Sequence, residues 1–256
     1  MKGPPANPMF PHLSFQATNL RDSVQRIHAL AEEGGRHYVC FCEANLFVNA
    51  WRKPAVLDAL RRAALVYADG ISVLMMARLQ GRPVPKRVPG PSVLPALCEH
   101  GVAHGLRHFF LGGGPGVPER MAAHLQGLYP GIEIVGAYSP PYRALGEEDN
   151  VEIRRRVEAA RPHFLWVGLG APKQELWMAM HHQEIEVPVM LGVGAAFDFH
   201  AGTKLWAPLW IRKLGMEWAF RMVTGGRRTL LRNLRSVSLM SVALVLAACG
   251  VGRKKG

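Results

Sequence analysis

Short apolar runs recur along the chain, each followed by a loop and then by a stretch with helical spacing, and no other feature limits the fold as much. The runs are Tyr38–Cys42, Leu65–Ala68, His108–Leu111, Ile132–Ala137, Phe164–Val167 and Val187–Leu191. The helical stretches include Ala55–Ala64, Val93–His104, Pro118–Leu128, Glu147–Ala160 and Gln174–His182. Apolar runs without strict alternation suit strands covered on both faces. Strand–helix alternation predicts an α/β fold with a mostly parallel sheet. In such sheets ligands lie at the carboxyl ends of the strands, so the loops after the strands are where chemistry is expected.

Three of those loops are rich in glycine. Gly112-Gly113-Gly114-Pro115-Gly116 follows the third run, Gly168-Leu169-Gly170-Ala171-Pro172 the fifth, and Gly192-Val193-Gly194 the sixth, leading to Asp198. Glycine lets backbone N–H groups approach a ligand, and a helix N-terminus favours phosphate. For any single loop a plain tight turn weighs as much. Three on one sheet favour a nucleotide diphosphate site. The dinucleotide fingerprint fails, because Lys173 and Phe197 stand where the third glycine belongs. No glycine precedes Lys-Ser or Lys-Thr, so a Walker loop is missing too.

Charge is unevenly placed. From Thr203 onward eleven basic residues face the single acid Glu217, a balance of +10, so the first 202 residues carry only +2 of the total +12. Such a tail should meet phosphates, acidic lipid or nucleic acid. Residues 236–252 read SVSLMSVALVLAACGVG, between Arg232 and Arg235 on one side and Arg253-Lys254-Lys255 on the other. That run is short for a span, which needs about 20 apolar residues. An interfacial or re-entrant segment on an anionic membrane surface fits better, with a buried terminal helix as the alternative. The proline-rich start lacks a secretory signal core, and Cys40, Cys42, Cys98 and Cys249 have neither zinc-site nor disulfide-framework spacing. A cytoplasmic protein is expected, with a loose arm over 1–13, an α/β core over 14–202 and a basic appendage over 203–256.

Among candidate catalytic groups, Asp69 ends a strand at Tyr67-Ala68-Asp69-Gly70. There it could take a proton from an attacking hydroxyl. Taken alone, it is more simply a cap on the helix that begins at Ile71. No Asp-x-Asp occurs, so the usual metal clamp for a diphosphate is missing and arginines with backbone N–H groups would have to replace it.

Five strings, in order, carry a family resemblance. They are Ala68-Asp69-Gly70, Arg87-Val88-Pro89-Gly90, Gly168 to Trp177, Gly192 to Gly202, and Ala207-Pro208 with Gly215 to Arg221. Together they resemble the WecG/TagA/CpsF glycosyltransferases across about residues 38 to 235. The resemblance implies a Rossmann-like α/β core with helices on both faces and a C-terminal helical membrane-targeting appendage. It implies an inverting, metal-independent transfer from a UDP-sugar to a polyprenyl-diphosphate-linked saccharide, with no other cofactor, at the cytoplasmic face of a bacterial inner membrane. It makes Asp69 the general base. Asn45, Arg87, Gln174 and Glu175 join Gly112, Gly113, Gly114, Gly168, Gly170, Gly194 and Asp198 as substrate-binding candidates. Arg221, Arg228 and Arg232 of the tail would neutralise the diphosphate.

The chain departs from the family at Glu43-Ala44-Asn45, where Thr-x-Asn is common, and at Ser92, where an acid is common. Trp206 replaces an arginine, and Gly225-Gly226 replaces Glu-Pro. The first two changes leave the donor sugar open, and Glu43 is a second candidate for supporting Asp69 or acting as base. His100, His104 and His108 fall four apart, but no acid completes a metal set. His181-His182 reads as an exposed helix end, and Trp177, Trp210 and Trp218 read as packing residues. Two other readings compete: a basic nucleic-acid-binding protein, disfavoured because the tail is apolar, and a silent scaffold of a polysaccharide assembly, disfavoured by Asp69, Arg87 and Gln174. A homo-oligomer is left open.

Overall fold

The computed structural model describes residues 11, 13–81, 84 and 86–249, with no side chain described at 227–229 or 232. Strands β1 (His37–Cys42), β2 (Leu65–Ala68), β3 (Arg107–Gly112), β4 (Glu133–Tyr138), β5 (Phe164–Gly168) and β6 (Val189–Gly192) form one sheet. Its order is β2-β1-β6-β5-β3-β4, and every pairing is parallel. All six expected strands are present, shifted by two residues or fewer at their ends. The helices are α1 (Leu20–Glu32), α2 (Ala44–Arg52), α3 (Pro54–Arg62), α4 (Ile71–Leu79), α5 (Gly90–Val102), α6 (Val117–Leu128), α7 (Glu147–Ala160) and α8 (Lys173–His181). After β6 follow α9 (Ala196–His200), α10 (Leu209–Lys213), α11 (Glu217–Thr224) and α12 (Gly226–Ala248).

Two apolar clusters sandwich the sheet. Alternate residues of β1 divide between them: Tyr38, Cys40 and Cys42 face the side of α2, α3, α4, α7 and α8, while Val39 and Phe41 face α1, α5, α6 and α9. This is the Rossmann-like, three-layer arrangement that right-handed crossovers build around a parallel sheet. The central strands are buried on both sides, which explains their unbroken apolar sequence. Edge strand β2 is covered in part by Phe15, which bridges to Val66.

Glycine is required where β3 and β5 end. Gly112 has φ +121, and a Cβ there would lie 2.6 Å from the carbonyl carbon of Gly168. A side chain at Gly112 would pry the two strands apart.

α12 lies on the α2 and α4 side of the molecule. Its Met240, Ala243 and Ala247 are buried in the same apolar cluster as Leu46, Val73 and Ala77. These inward residues repeat at helical spacing, whereas Leu234, Val242 and Val245 remain exposed. Among the described residues no helix is long and apolar enough to cross a membrane.

Candidate active site

The carboxyl ends of β1 and β2 open into a cavity of about 200 Å³ lined by Glu43, Asp69, Arg87, Glu217 and Arg221, with Met240 and Leu244 of α12 forming one wall. Asp69 reaches it from the turn after β2. It does not cap α4, whose N-cap is Gly70 with no side-chain bond. Its Oδ2 instead accepts the N–H of Gly90 at 3.2 Å, at the start of α5. Asp69 touches the cavity but is otherwise ringed by protein. Burial, helped by the Glu217 and Glu43 carboxylates, holds its pKa up at about 7, against the pull of Arg221 and the Gly90 N–H. A carboxylate poised near neutrality suits proton abstraction.

Glu43 is committed elsewhere. As the N-cap of α2 it accepts from Asn45 N at 2.9 Å and Leu46 N at 3.0 Å, so its role here is to start the helix and add negative charge beside Asp69.

Arg87 is brought to the same cavity, held by residues of α10 and α11. Its Nη1 donates to Glu217 Oε2 at 3.2 Å, and its Nη2 donates to the carbonyl of Arg212. Glu217 Oε1 accepts from Trp206 Nε1 at 3.2 Å. The Arg87 and Glu217 side chains are only 19% and 14% exposed, so the pair is tied on both sides and shielded from screening. Arg221 stacks over Phe199 at 4.9 Å and faces Asp69. Replacing Glu217 by Gln removes a negative neighbour of Asp69 and frees Arg87. The acid limb of the rate profile should move to lower pH and the donor KM should fall severalfold; an unmoved limb would show that Glu217 does not act on Asp69.

Other sequence candidates occupy different places. Asn45 lies behind the wall, its Oδ1 accepting from Ser236 Oγ of α12 at 3.2 Å. Gln174 is buried: its Oε1 accepts the N–H of Gly170 at 3.1 Å, and its Nε2 donates to Glu175 at 2.8 Å. Glu175 is fully buried, its Oε2 has no partner, and burial raises its pKa to about 7. Both sit away from the cavity and brace the loop between β5 and α8. Gly113 donates its N–H to Gly168 O at 3.1 Å, a bond between loops. A Cβ at Gly168 would meet Phe197 at 2.9 Å, and one at Gly194 would meet Gln174 at 3.3 Å. Gly112, Gly113, Gly168 and Gly194 therefore have packing duties, while a Cβ at Gly114 would make only an ordinary contact with Val117 at 3.8 Å and Gly170 has open space around it. Asp198 pairs with Lys204 at 2.5 Å and holds Thr203, outside the cavity. Arg228 and Arg232 fall outside the residues whose side chains are described.

Several expectations need correcting. His181 is buried and paired with Glu184 at 2.8 Å, because α8 turns its last residue inward. His108, set aside as a metal ligand together with His100 and His104, lies buried in the core and accepts from Trp166 Nε1 at 3.1 Å. Trp177 packs as expected, but Trp210 is 64% exposed and Trp218 lines the cavity. Sequence reasoning gave no role to Glu217 or Trp206. The signal for Glu217 was its being the lone acid in a cationic stretch.

The chain is 30% identical over 245 residues to an N-acetylglucosaminyldiphosphoundecaprenol N-acetyl-beta-D-mannosaminyltransferase of Staphylococcus aureus strain MRSA252, covering 95% of this chain and 94% of that protein. The enzyme of the same name from Staphylococcus aureus strain NCTC 8325 / PS 47 is 29% identical over the same shares. A sequence profile described as the Glycosyl transferase WecG/TagA/CpsF family matches residues 9–254. A match of that extent, on a sheet whose strand ends open into a cavity lined by Asp69, Arg87 and Arg221, means that the chain belongs to the WecG/TagA/CpsF family of glycosyltransferases.

Proposed function

We propose that the protein transfers a hexose, N-acetylhexosamine or uronic acid from a UDP-sugar to a polyprenyl-diphosphate-linked saccharide, with inversion and without a metal at the reacting centre. The observation that carries this reading is Asp69, held near neutral pKa in a cavity with Arg87 and Arg221. The relatives' names support the acceptor class, since both act on a diphosphoundecaprenol-linked N-acetylglucosamine.

In the proposed step the acceptor hydroxyl oxygen attacks C1 of the donor sugar and its proton passes to the Asp69 carboxylate. The bond from C1 to the diphosphate breaks, and its electron pair leaves with UDP. Charge growing on the diphosphate is met by Arg221 and by Arg87, which exchanges Glu217 for phosphate oxygens. The nucleotide would extend toward the glycine loops after β5 and β6, which Gln174 braces from behind. Two arginines can perform the neutralisation usually given to a metal, so the Asp-x-Asp clamp is not needed. The test is a transfer assay with the full chain, a panel of UDP-sugars, a diphosphoundecaprenol-linked N-acetylglucosamine acceptor and excess chelator. Release of UDP with formation of an inverted linkage is expected; activity only on adding a divalent metal would overturn the mechanism.

The division into an α/β core over 14–202 and a basic appendage over 203–256 is part of the same proposal. The appendage would seat the enzyme peripherally on the anionic cytoplasmic face of the inner membrane. Exposed Leu205, Leu209, Trp210, Leu214 and Val223 beside the basic residues support this. Removing residues after Arg235 should release the protein from anionic vesicles in a flotation assay. That deletion also uncovers the surface under Met240, so Val242→Asp with Val245→Asp, on the exposed side of α12, is the cleaner variant. Undiminished flotation of both would refute the membrane role.

A further inference from the structure

On the face of the sheet opposite α12, α1 and α5 pack together, and three imidazoles meet near their ends. His28 comes from α1, His100 from the last turn of α5, and His104 from the turn that follows. One nitrogen from each ring can be chosen so that all three lie within 4.8 Å of one another. His28 Nδ1 and His100 Nε2 are 3.0 Å apart.

Two of the three remaining nitrogens face the kind of group that usually backs a metal-binding histidine. His104 Nδ1 is 2.9 Å from the carbonyl of His100 and must donate to it, which leaves the lone pair on Nε2. His28 Nε2 faces the Glu32 carboxylate at 3.7 Å, which leaves Nδ1 as its ligand atom. A carboxylate and a backbone carbonyl behind the ligands are the supports that fix ring orientation and basicity at zinc sites. Nitrogens bound tetrahedrally at about 2.05 Å stand about 3.3 Å apart, so small rotations of the exposed His104 ring would close the set. Imidazoles select zinc, copper or nickel over magnesium or calcium.

We propose that His28, His100 and His104 form a binding site for one transition-metal dication of the zinc type, joining α1 to α5 away from the transfer cavity. Water would complete the coordination. The site is structural: α5 begins at Gly90, whose N–H holds Asp69, and His100 sits ten residues along that helix, about 15 Å away. Clamping the far end of α5 would stiffen the helix that positions the carboxylate. It would add no metal to the reacting centre.

The test uses the full chain, stripped by chelator, in a Cys249→Ser background that removes the exposed thiol. Zinc is titrated against a chromophoric chelator, and cobalt is added separately to read the visible spectrum. One zinc per chain is expected, with a tetrahedral cobalt spectrum. At a hundredfold excess over Kd the melting temperature should rise by about 5 °C. His104→Ala, at an exposed position that folding does not need, should weaken binding by about a hundredfold and abolish the thermal shift. Glu32→Gln should weaken it by about tenfold. Absence of saturable binding, or equal affinity in the parent and in His28→Gln/His104→Ala, would overturn the site.

Discussion

Asp69→Asn is expected to lower transfer about a thousandfold while raising the melting temperature at pH 8. The first effect is what a general base contributes to a proton-abstracting step. The carboxamide oxygen can still accept the Gly90 N–H, so the local structure should survive. The second effect follows from linkage. Asp69 has a pKa of about 7 when folded, against an ordinary value of 3.8, so between those values the folded chain keeps a proton that the unfolded chain has lost. Stability from this group is therefore present at acid pH and falls as pH rises from about 4 through 7, the direction set by the unfolded state binding fewer protons. At pH 8 the burden of the buried charge is on the order of 1–3 kcal/mol, allowing for access to the cavity, and asparagine removes it. For a chain of this length that is a gain of several degrees, shrinking toward pH 4. Retention of a tenth of the activity would dismiss Asp69 as base. An inactive variant with no thermal gain would show that the carboxylate is solvated.

The second large effect is at Arg221. Arg221→Ala should reduce kcat/KM by about 10²–10³, the range seen when one donor to a developing anion is removed. Lysine at the same position should restore part of the rate, as a point charge without the planar fork. Arg221 also pulls the Asp69 pKa down, so its loss should move the acid limb of the rate profile to higher pH. Glu217→Gln acts in the opposite direction. Opposed shifts from two residues of one helix separate the charge acting on Asp69 from general damage to the fold. If the two variants move the limb the same way, the electrostatic account of the cavity fails.

The sheet was legible in the sequence because all its strands but the edge strand β4 are buried and write themselves as apolar runs. α1 and α2 were not. Their starts depend on the side chains of Asn19 and Glu43, whose capping bonds leave no periodic trace. Asp69 and Arg87 could be found from motifs that lie at strand ends. The Arg87–Glu217 pair could not, since it joins residues 130 positions apart. The glycine loops were read as cradles for phosphate, but Gly112 shows another use of the residue, close strand approach, and Gly168 makes room for Phe197. Sequence spacing put His100, His104 and His108 four apart, and no metal set could be read from them. The fold supplied His28 instead, because packing of α1 on α5 decides which ring is near.

The wall that α12 gives to the cavity has a consequence in time. Its contact with α2, from Ser236 to Asn45, spans 191 residues, and contacts of that separation are late to form because so much chain must first be ordered. Until Met240 and Leu244 arrive, that side of the cavity is open to water, and a better-hydrated carboxylate moves toward its ordinary acidity and is a poorer base at neutral pH. A nascent or half-folded chain would therefore hold the residue without the basicity. Competence for transfer would appear in one step, when the helix docks, and that docking would act as the molecule's own proofreading of its assembly.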